Sequence, residues 1–210
     1  MKIEIWSDFA CPYCYIGKRK LEEALKDFPE LKDVNIVFKS FELDATAVSE
    51  TIMNTKNRLM KKYDKSELQA NQMIDSIIQE AAHVGLDLHY DTAQYTNTFD
   101  AHRVTKYAQS KGKEKELLEK LFYAYFNDNK QLSSFEVLTD ISTEIGLNRE
   151  EVEKVLKNND FATNVRMDES EAQMKGIRSV PFFVIDEKYP ISGAQPVEVF
   201  KKIIKKALVE

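Results

Sequence analysis

A Cys-x-x-Cys motif near the N-terminus constrains this chain more than any other feature. The motif, CPYC at positions 11–14, directly follows a short β-rich run at residues 3–9. It precedes apolar residues that recur at helical spacing as far as Phe28. The order predicts a strand that delivers the motif to the start of a helix, with Pro12 in the first turn, where a missing N–H costs nothing. Cys11 would then lie at the helix N-terminus, where unpaired N–H groups and the helix dipole favour a thiolate.

Cys14 follows one turn later, within disulfide reach of Cys11, and the pair is typical of a redox dithiol. A zinc site is one alternative, but it would need two further Cys or His ligands. Three histidines, none with convincing ligand spacing, are the candidates: His83, His89 and His102. Two inert core cysteines are a further alternative. The sequence therefore predicts a redox pair and no metal.

Composition and charge limit the partners and the compartment. The chain is 43% hydrophobic and 31% charged, with 35 acidic and 30 basic residues and a formal charge of −5. This balance predicts a soluble globular protein without a nucleic-acid or membrane surface. No apolar stretch approaches the roughly 20 residues needed to cross a bilayer, and the N-terminus lacks a secretion signal. We therefore expect a cytoplasmic protein, in which a cysteine pair is more often catalytic than structural.

The apolar period divides the chain into β-rich ends and a helical middle. Residues 34–41 predict a second strand, central and buried on both faces. From 45 to 175 the apolar period lengthens to three or four, with a capping box at Ser66 to Gln69. Residues 179–185 and 189–191 predict a β-hairpin, and a last helix follows Pro196. The prediction is an α/β domain at 1–44 and 176–210 that brackets an inserted helical domain at 45–175.

The order β-α-β, then β-β-α, with Cys-x-x-Cys after the first strand and Val-Pro before the third, resembles the thioredoxin fold. A helical block between the second and third strands resembles its DsbA-like branch. Three segments carry a narrower resemblance: SDFACPYCYIGKR at 7–19, NTFDAHR at 97–103 and GIRSVPFFVIDEKYPISGAQP at 176–196. They are similar to the FrnE-type cytoplasmic DsbA-like oxidoreductases.

This resemblance implies a thiol–disulfide oxidoreductase that acts on protein or small-molecule thiols and disulfides without a separate cofactor. Cys11 would be the exposed nucleophile, Cys14 the resolving cysteine, and Pro181 a cis-proline beside the disulfide. Val180 would offer its N–H and C=O to an extended substrate segment. The other implied substrate contacts are Pro12, Tyr13 and Ser179.

Two departures keep alternatives open. The dipeptide between the cysteines is Pro-Tyr, typical of glutaredoxins, whereas strongly oxidising DsbA proteins carry Pro-His, so the redox direction is not fixed. The architecture also resembles kappa-class glutathione transferases and hydroxychromene-carboxylate isomerases, which have a serine at the Cys11 position. A glutathione-dependent transferase or isomerase is therefore the rival enzyme, and glutathione is a candidate co-substrate of either. A holdase or binding module with inert cysteines is the rival from another class. Asp100 and His102 either face a cleft or pack between helices.

Overall fold

The computed structural model describes residues 1–48 and 53–209, and the chain forms two compact units. One unit is Met1–Leu43 with Asp168–Glu210, and the other is Asp44–Met167. The sequence placed the return to the first domain at 176, but the units divide earlier, at Asp168. This boundary between the two units lies inside a helix, so the spacing of apolar residues does not change at the boundary and could not indicate it. The predicted domains also include residues 49–52 and 210, which lie outside the described residues.

The first unit contains a four-stranded mixed sheet. Its strands are β1 (Lys2–Ser7), β2 (Asn35–Ser40), β3 (Phe182–Ile185) and β4 (Tyr189–Ser192). Their order is β2-β1-β3-β4; β1 runs parallel to β2 and antiparallel to β3, and β3 runs antiparallel to β4. The predicted hairpin is confirmed.

The α-helices of the described residues include those predicted from apolar periods and caps. The full set within these residues is α1 (Pro12–Leu25), α2 (Thr55–Tyr63), α3 (Glu67–Ala82), α4 (Phe99–Ser110), α5 (Glu114–Phe126), α6 (Phe135–Glu144), α7 (Arg149–Lys157), α8 (Ala162–Met174) and α9 (Val197–Val209). The sequence placed α2 and α8 only within a general helical block. Helices α2 to α8 fall between β2 and β3 in the chain, which confirms a thioredoxin-like α/β fold with a helical insertion. Among the described residues, no helix combines the length and apolar character that a membrane span requires.

The prediction that β2 is central and buried on both faces is wrong. β2 lies at the edge of the sheet and buries Phe38 and Ser40, while its other residues are half-buried or exposed. β1 and β3 are the strands with partners on both sides, and residues 3–7 of β1 are all buried. A β-branched and aromatic composition indicates a strand packed against other layers, but it does not say which strands pair with it.

Alternate residues of β1 face two different cores, as the pleat of a strand requires. Ile5 pairs with Phe183 of β3, whose ring packs edge-on against Phe200 of α9 at 4.9 Å between centroids. Trp6 lies on the opposite face, in a cluster with Ala172 of α8 and neighbouring apolar residues. Both faces of the strand that precedes the Cys-x-x-Cys motif are therefore packed.

In the second unit, the predicted capping box at the start of α3 is confirmed. Ser66 Oγ accepts a hydrogen bond from Gln69 N at 3.3 Å, and Gln69 Oε1 accepts one from Ser66 N at 3.0 Å. At the starts of α6 and α7, the side chains of Ser134 and Asn148 each accept a hydrogen bond from the backbone N–H three residues later, without the reciprocal bond of a capping box. These caps satisfy N–H groups that have no partner within a helix, so the helix starts follow from local sequence.

A lysine on the edge strand is surrounded by carboxylates from other elements. Lys39 Nζ lies 2.9 Å from Glu171, 3.4 Å from Asp168 and 3.9 Å from Glu4. Asp168 also accepts a hydrogen bond from Ser40 N at 2.8 Å. Burial opposes the charge of Lys39, but these carboxylates outweigh it and raise the pKa of Lys39 above its ordinary value.

We expect Lys39→Met to lower the free energy of unfolding by about 1–3 kcal/mol at neutral pH, because it removes the cation that Asp168, Glu171 and Glu4 share. Glu4 keeps its ion pair with Lys2 at 2.7 Å and Glu171 keeps the one with Lys175 at 3.6 Å, so the loss falls mainly on Asp168. Because the ion pairs of Lys39 are partly exposed to solvent, the loss of stability should be smaller than for a fully buried pair. A raised pKa in the folded state stabilises the protein below the unfolded-state pKa of Lys39. The difference from wild type should therefore shrink as the pH rises through the folded-state value. Urea unfolding followed by the fluorescence of Trp6 measures this difference in the free energy of unfolding. Trp6 reports on the region of the substitution, because Lys39 Nζ lies 6.0 Å from its ring.

Lys202→Met is the matched control, because Lys202 is exposed on α9. Equal losses for the two variants, or a Lys39→Met loss that does not change at alkaline pH, would contradict the role given to the cluster.

Candidate active site

Cys11 occupies the N-cap position of α1, as the order of strand, motif and helix predicts. Its backbone is extended, with φ −101° and ψ 109°, and Pro12 follows as the first helical residue. The Cys11 N–H donates to the carbonyl of Asp8 at 3.1 Å, which closes the turn between β1 and α1. Cys11 therefore lies at the positive end of the α1 dipole.

Asp8 organises this turn, and sequence reasoning missed it. The residue is 2% exposed. Its carboxylate accepts hydrogen bonds from Ala10 N at 3.4 Å and from Leu43 N at 2.7 Å. An Asp side chain often stabilises a turn by accepting a hydrogen bond from the backbone N–H two residues later. An Asp three residues before Cys11 was therefore the feature of the sequence that could have indicated this role. Asp8 thus ties the loop that carries Cys11 to the segment that follows β2.

Cys11 is more buried than its predicted role as an exposed nucleophile implied. It is 5% exposed, against 2% for Cys14, and both are free cysteines. The Cys11 Sγ donates to the Val180 carbonyl at 3.5 Å, so a loop 169 residues away in sequence covers the thiol. Local sequence could not indicate that cover. Tyr13, which is 38% exposed, is the motif residue that reaches solvent most.

Cys14 is held as a thiol by its surroundings. Burial raises the pKa of the Cys14 thiol well above its ordinary value, and the neighbouring Cys11 raises it further. A hydrogen bond with Ser7 and the Asp8 N–H, which donates to Cys14 Sγ at 3.5 Å, lowers the pKa by less than burial raises it. Cys14 is therefore a poor nucleophile at neutral pH in this form of the protein, because the thiolate is the reactive species.

The loop before β3 supplies the other side of the site. The Val180–Pro181 peptide bond is cis. The Pro181 carbonyl accepts a hydrogen bond from Gly193 N at 2.8 Å, and the carbonyl of Ala194 accepts one from Lys20 Nζ of α1 at 2.9 Å. The structure thus brings Val180, and Pro181 next to it in the chain, to Cys11. Of the other predicted substrate contacts, Ser179 is exposed and Pro12 is buried.

Asp100 and His102 lie on α4 in the second unit. Asp100 forms an ion pair with Arg103 of the same helix, and His102 is 4% exposed. Their predicted place in a cleft stays a prediction. Arg103, which belongs to the quoted NTFDAHR segment, is 1% exposed and donates to the carbonyls of Val155, Leu156 and Asp160. Its contacts give it a structural role at the end of α7.

The arrangement at α1 can carry out disulfide chemistry. One thiol lies at a helix N-cap, a second lies buried beside it, and a backbone carbonyl contacts the first. Two such thiols can exchange with a substrate disulfide through a mixed disulfide. Within residues 1–48 and 53–209, no group of three or more His, Cys, Asp or Glu side chains is placed to hold a metal ion.

Two solved structures of other proteins match essentially the whole chain at low sequence identity. A 2-hydroxychromene-2-carboxylate isomerase is 14% identical and has a TM-score of 0.74, with 99% of this chain and 96% of that chain covered. The cytosolic disulfide reductase DsbM from Pseudomonas aeruginosa, solved with GSH, is 13% identical and has a TM-score of 0.63, with 100% of each chain covered. At these identities the similarity establishes the fold alone.

A third structure and a family model are more specific. A probable DsbA oxidoreductase, SCO1869 from Streptomyces coelicolor, is 38% identical and has a TM-score of 0.95, with 100% of this chain and 91% of that chain covered. The model of the DSBA-like thioredoxin domain matches residues 2–205. With a thioredoxin-like sheet, a helical insertion and two thiols at the start of α1, the chain belongs to the DSBA-like thioredoxin domain family.

Proposed function

We propose that the protein is a cytoplasmic, FrnE-type thiol–disulfide oxidoreductase in which Cys11 and Cys14 cycle between dithiol and disulfide. The observation that carries the proposal is the pair itself: Cys11 at the N-cap of α1, with the buried thiol of Cys14 beside it. The similarity to a probable DsbA oxidoreductase at 38% identity supports the same chemistry.

The reaction follows from the different surroundings of the two sulfurs. The Cys11 thiolate attacks a substrate disulfide, one substrate sulfur leaves as a thiolate, and a mixed disulfide forms. Cys14 then loses its proton to the departing substrate thiolate and attacks Cys11 Sγ. The Cys11–Cys14 disulfide forms, the substrate leaves with both sulfurs reduced, and the dithiol has lost two electrons. The reverse sequence oxidises a substrate dithiol.

The substrate binds along the loop that contains Val180. An extended segment pairs with the Val180 backbone, and the exposed ring of Tyr13, with Pro12 and Ser179, contacts the residues beside the scissile disulfide. The substrate is a protein or small-molecule thiol or disulfide. Glutathione is a proposed co-substrate, because DsbM shares this fold and was solved with GSH. DsbM is also described as cytosolic, which supports the proposed compartment.

A Cys14→Ser variant separates this proposal from the rival glutathione-dependent transferase or isomerase. We expect catalysed reduction of a protein disulfide to fall by about 10²-fold or more, because the mixed disulfide can no longer be resolved within the protein. A glutathione transferase needs no second cysteine and should tolerate the change. Insulin reduction and conjugation of glutathione to an electrophile are the two assays. Conjugation that survives in Cys14→Ser, with no insulin reduction by wild type, would favour the rival.

A further inference from the structure

Gly17 lies in the interior of α1, where local structure does not call for glycine. Alanine is favoured over glycine inside helices. A Cβ at this position would lie 3.1 Å from Pro181 Cγ, 3.1 Å from Phe183 Cζ and 3.5 Å from Ala194 Cβ. The first two distances are shorter than ordinary van der Waals contacts. The absence of a side chain therefore allows α1 to approach the loop before β3.

That close approach leads directly to the Cys11 thiol. The Pro181 ring packs on Gly17, and the carbonyl of the preceding residue, Val180, accepts the hydrogen bond from Cys11 Sγ at 3.5 Å. Phe183 is fully buried and packs against Phe200 in the sheet–helix core. A side chain at position 17 would therefore displace the Pro181 loop more readily than the sheet, because a packed core resists movement.

We propose that Gly17 is a positioning residue that holds the Val180 carbonyl against the Cys11 thiol. A hydrogen bond donated by a thiol stabilises its protonated form, so the carbonyl restrains the reactivity of Cys11. The same carbonyl belongs to the backbone edge along which we propose that substrates dock. Displacing the loop should therefore make Cys11 more reactive toward a small reagent and less able to exchange with an extended substrate. The second effect rests on the proposed function, whereas the first does not.

Gly17→Ala tests this in two assays. In a Cys14→Ser background, which leaves one thiol, the rate of iodoacetamide alkylation is measured against pH. We expect the midpoint of this profile to move to lower pH, with at least about a threefold faster rate on its acidic side. With both cysteines present, reduction of a peptide disulfide should fall by about tenfold to a hundredfold, as expected when a binding edge is misplaced.

Phe183→Leu is the matched control. It removes the Phe183 Cζ atom near Gly17 and weakens the core, but it leaves the Pro181 ring on α1. We expect a lower Tm with an unchanged alkylation midpoint. If Gly17→Ala only destabilised the protein, it would also lower the Tm and leave the alkylation midpoint unchanged. A shifted midpoint therefore distinguishes a positioning role of Gly17 from an effect on stability.

An alkylation midpoint that Gly17→Ala does not move would overturn the proposal. If Gly17→Ala does not fold, the double variant Gly17→Ala/Phe183→Leu is measured instead. It relieves the close contact with Phe183 and keeps the one with Pro181. An unchanged midpoint in that double variant overturns the proposal equally. A wild-type protein without exchange activity would refute the proposed function, but the midpoint comparison would still decide the role of Gly17.

Discussion

Cys11→Ser is expected to reduce catalysed disulfide exchange to background, a loss of about 10³-fold or more, because serine supplies no thiolate. Cys14→Ser should instead accumulate mixed disulfides through Cys11, since the attack remains and the resolving step is lost. The reason for the asymmetry is structural. Burial keeps Cys14 protonated, whereas Cys11 lies at the N-cap of α1, at the positive end of the helix dipole.

Mass spectrometry of each variant after incubation with a peptide disulfide measures this directly. Alkylation in denaturant, where both cysteines should react alike, is the control for thiol integrity. Mixed disulfides trapped by Cys11→Ser and not by Cys14→Ser would reverse the two roles. If neither variant traps a substrate and both thiols alkylate poorly at every pH, the cysteines are inert and a holdase or binding module becomes the better explanation.

Arg103→Met is expected to lower the free energy of unfolding by about 3–5 kcal/mol. The guanidinium donates from Nε to the Asp160 carbonyl at 2.9 Å and from Nη2 to the Leu156 carbonyl at 3.4 Å, and it also bonds the Val155 carbonyl. Methionine fills part of the volume but removes the guanidinium donor from all three carbonyls, of which Val155 keeps a hydrogen bond from Asp160 N at 3.1 Å. Arg103→Lys should recover little of the loss, because an ammonium cannot reproduce the planar fork.

Urea unfolding followed by circular dichroism tests this, with Arg149→Met as the control. Arg149 forms its ion pair with Asp140 at the surface, where such pairs contribute about 0–1 kcal/mol. Asp100→Asn should also cost little, since it leaves the carbonyl contacts of Arg103 intact. Similar losses for Arg103→Met and Arg149→Met would show that the end of α7 does not depend on the guanidinium.

Several elements of this protein were predictable because their causes are local. The capping box at Ser66 depends on residues three apart, and the hairpin from β3 to β4 depends on two short apolar runs and the turn between them. The position of Cys11 at a helix start depends on the strand before it and on Pro12 after it. The order of these elements also predicted an α/β domain around a helical block, and the resemblance of that order to the thioredoxin fold supplied the fold prediction.

Features that depend on segments far apart in the chain could not be predicted from composition or from the spacing of apolar residues. β2 is an edge strand because β3 occupies the other side of β1, and no feature of residues 35–40 records that choice. Cys11 is buried because Val180 covers it, and Gly17 matters because the Pro181 ring packs on it.

By itself, the sequence determined the periods, caps and motif order of this chain, since each is set by residues within a few positions of one another. The tertiary structure alone decided strand neighbours, thiol burial and the contacts of Gly17, because these depend on which distant surfaces pack together.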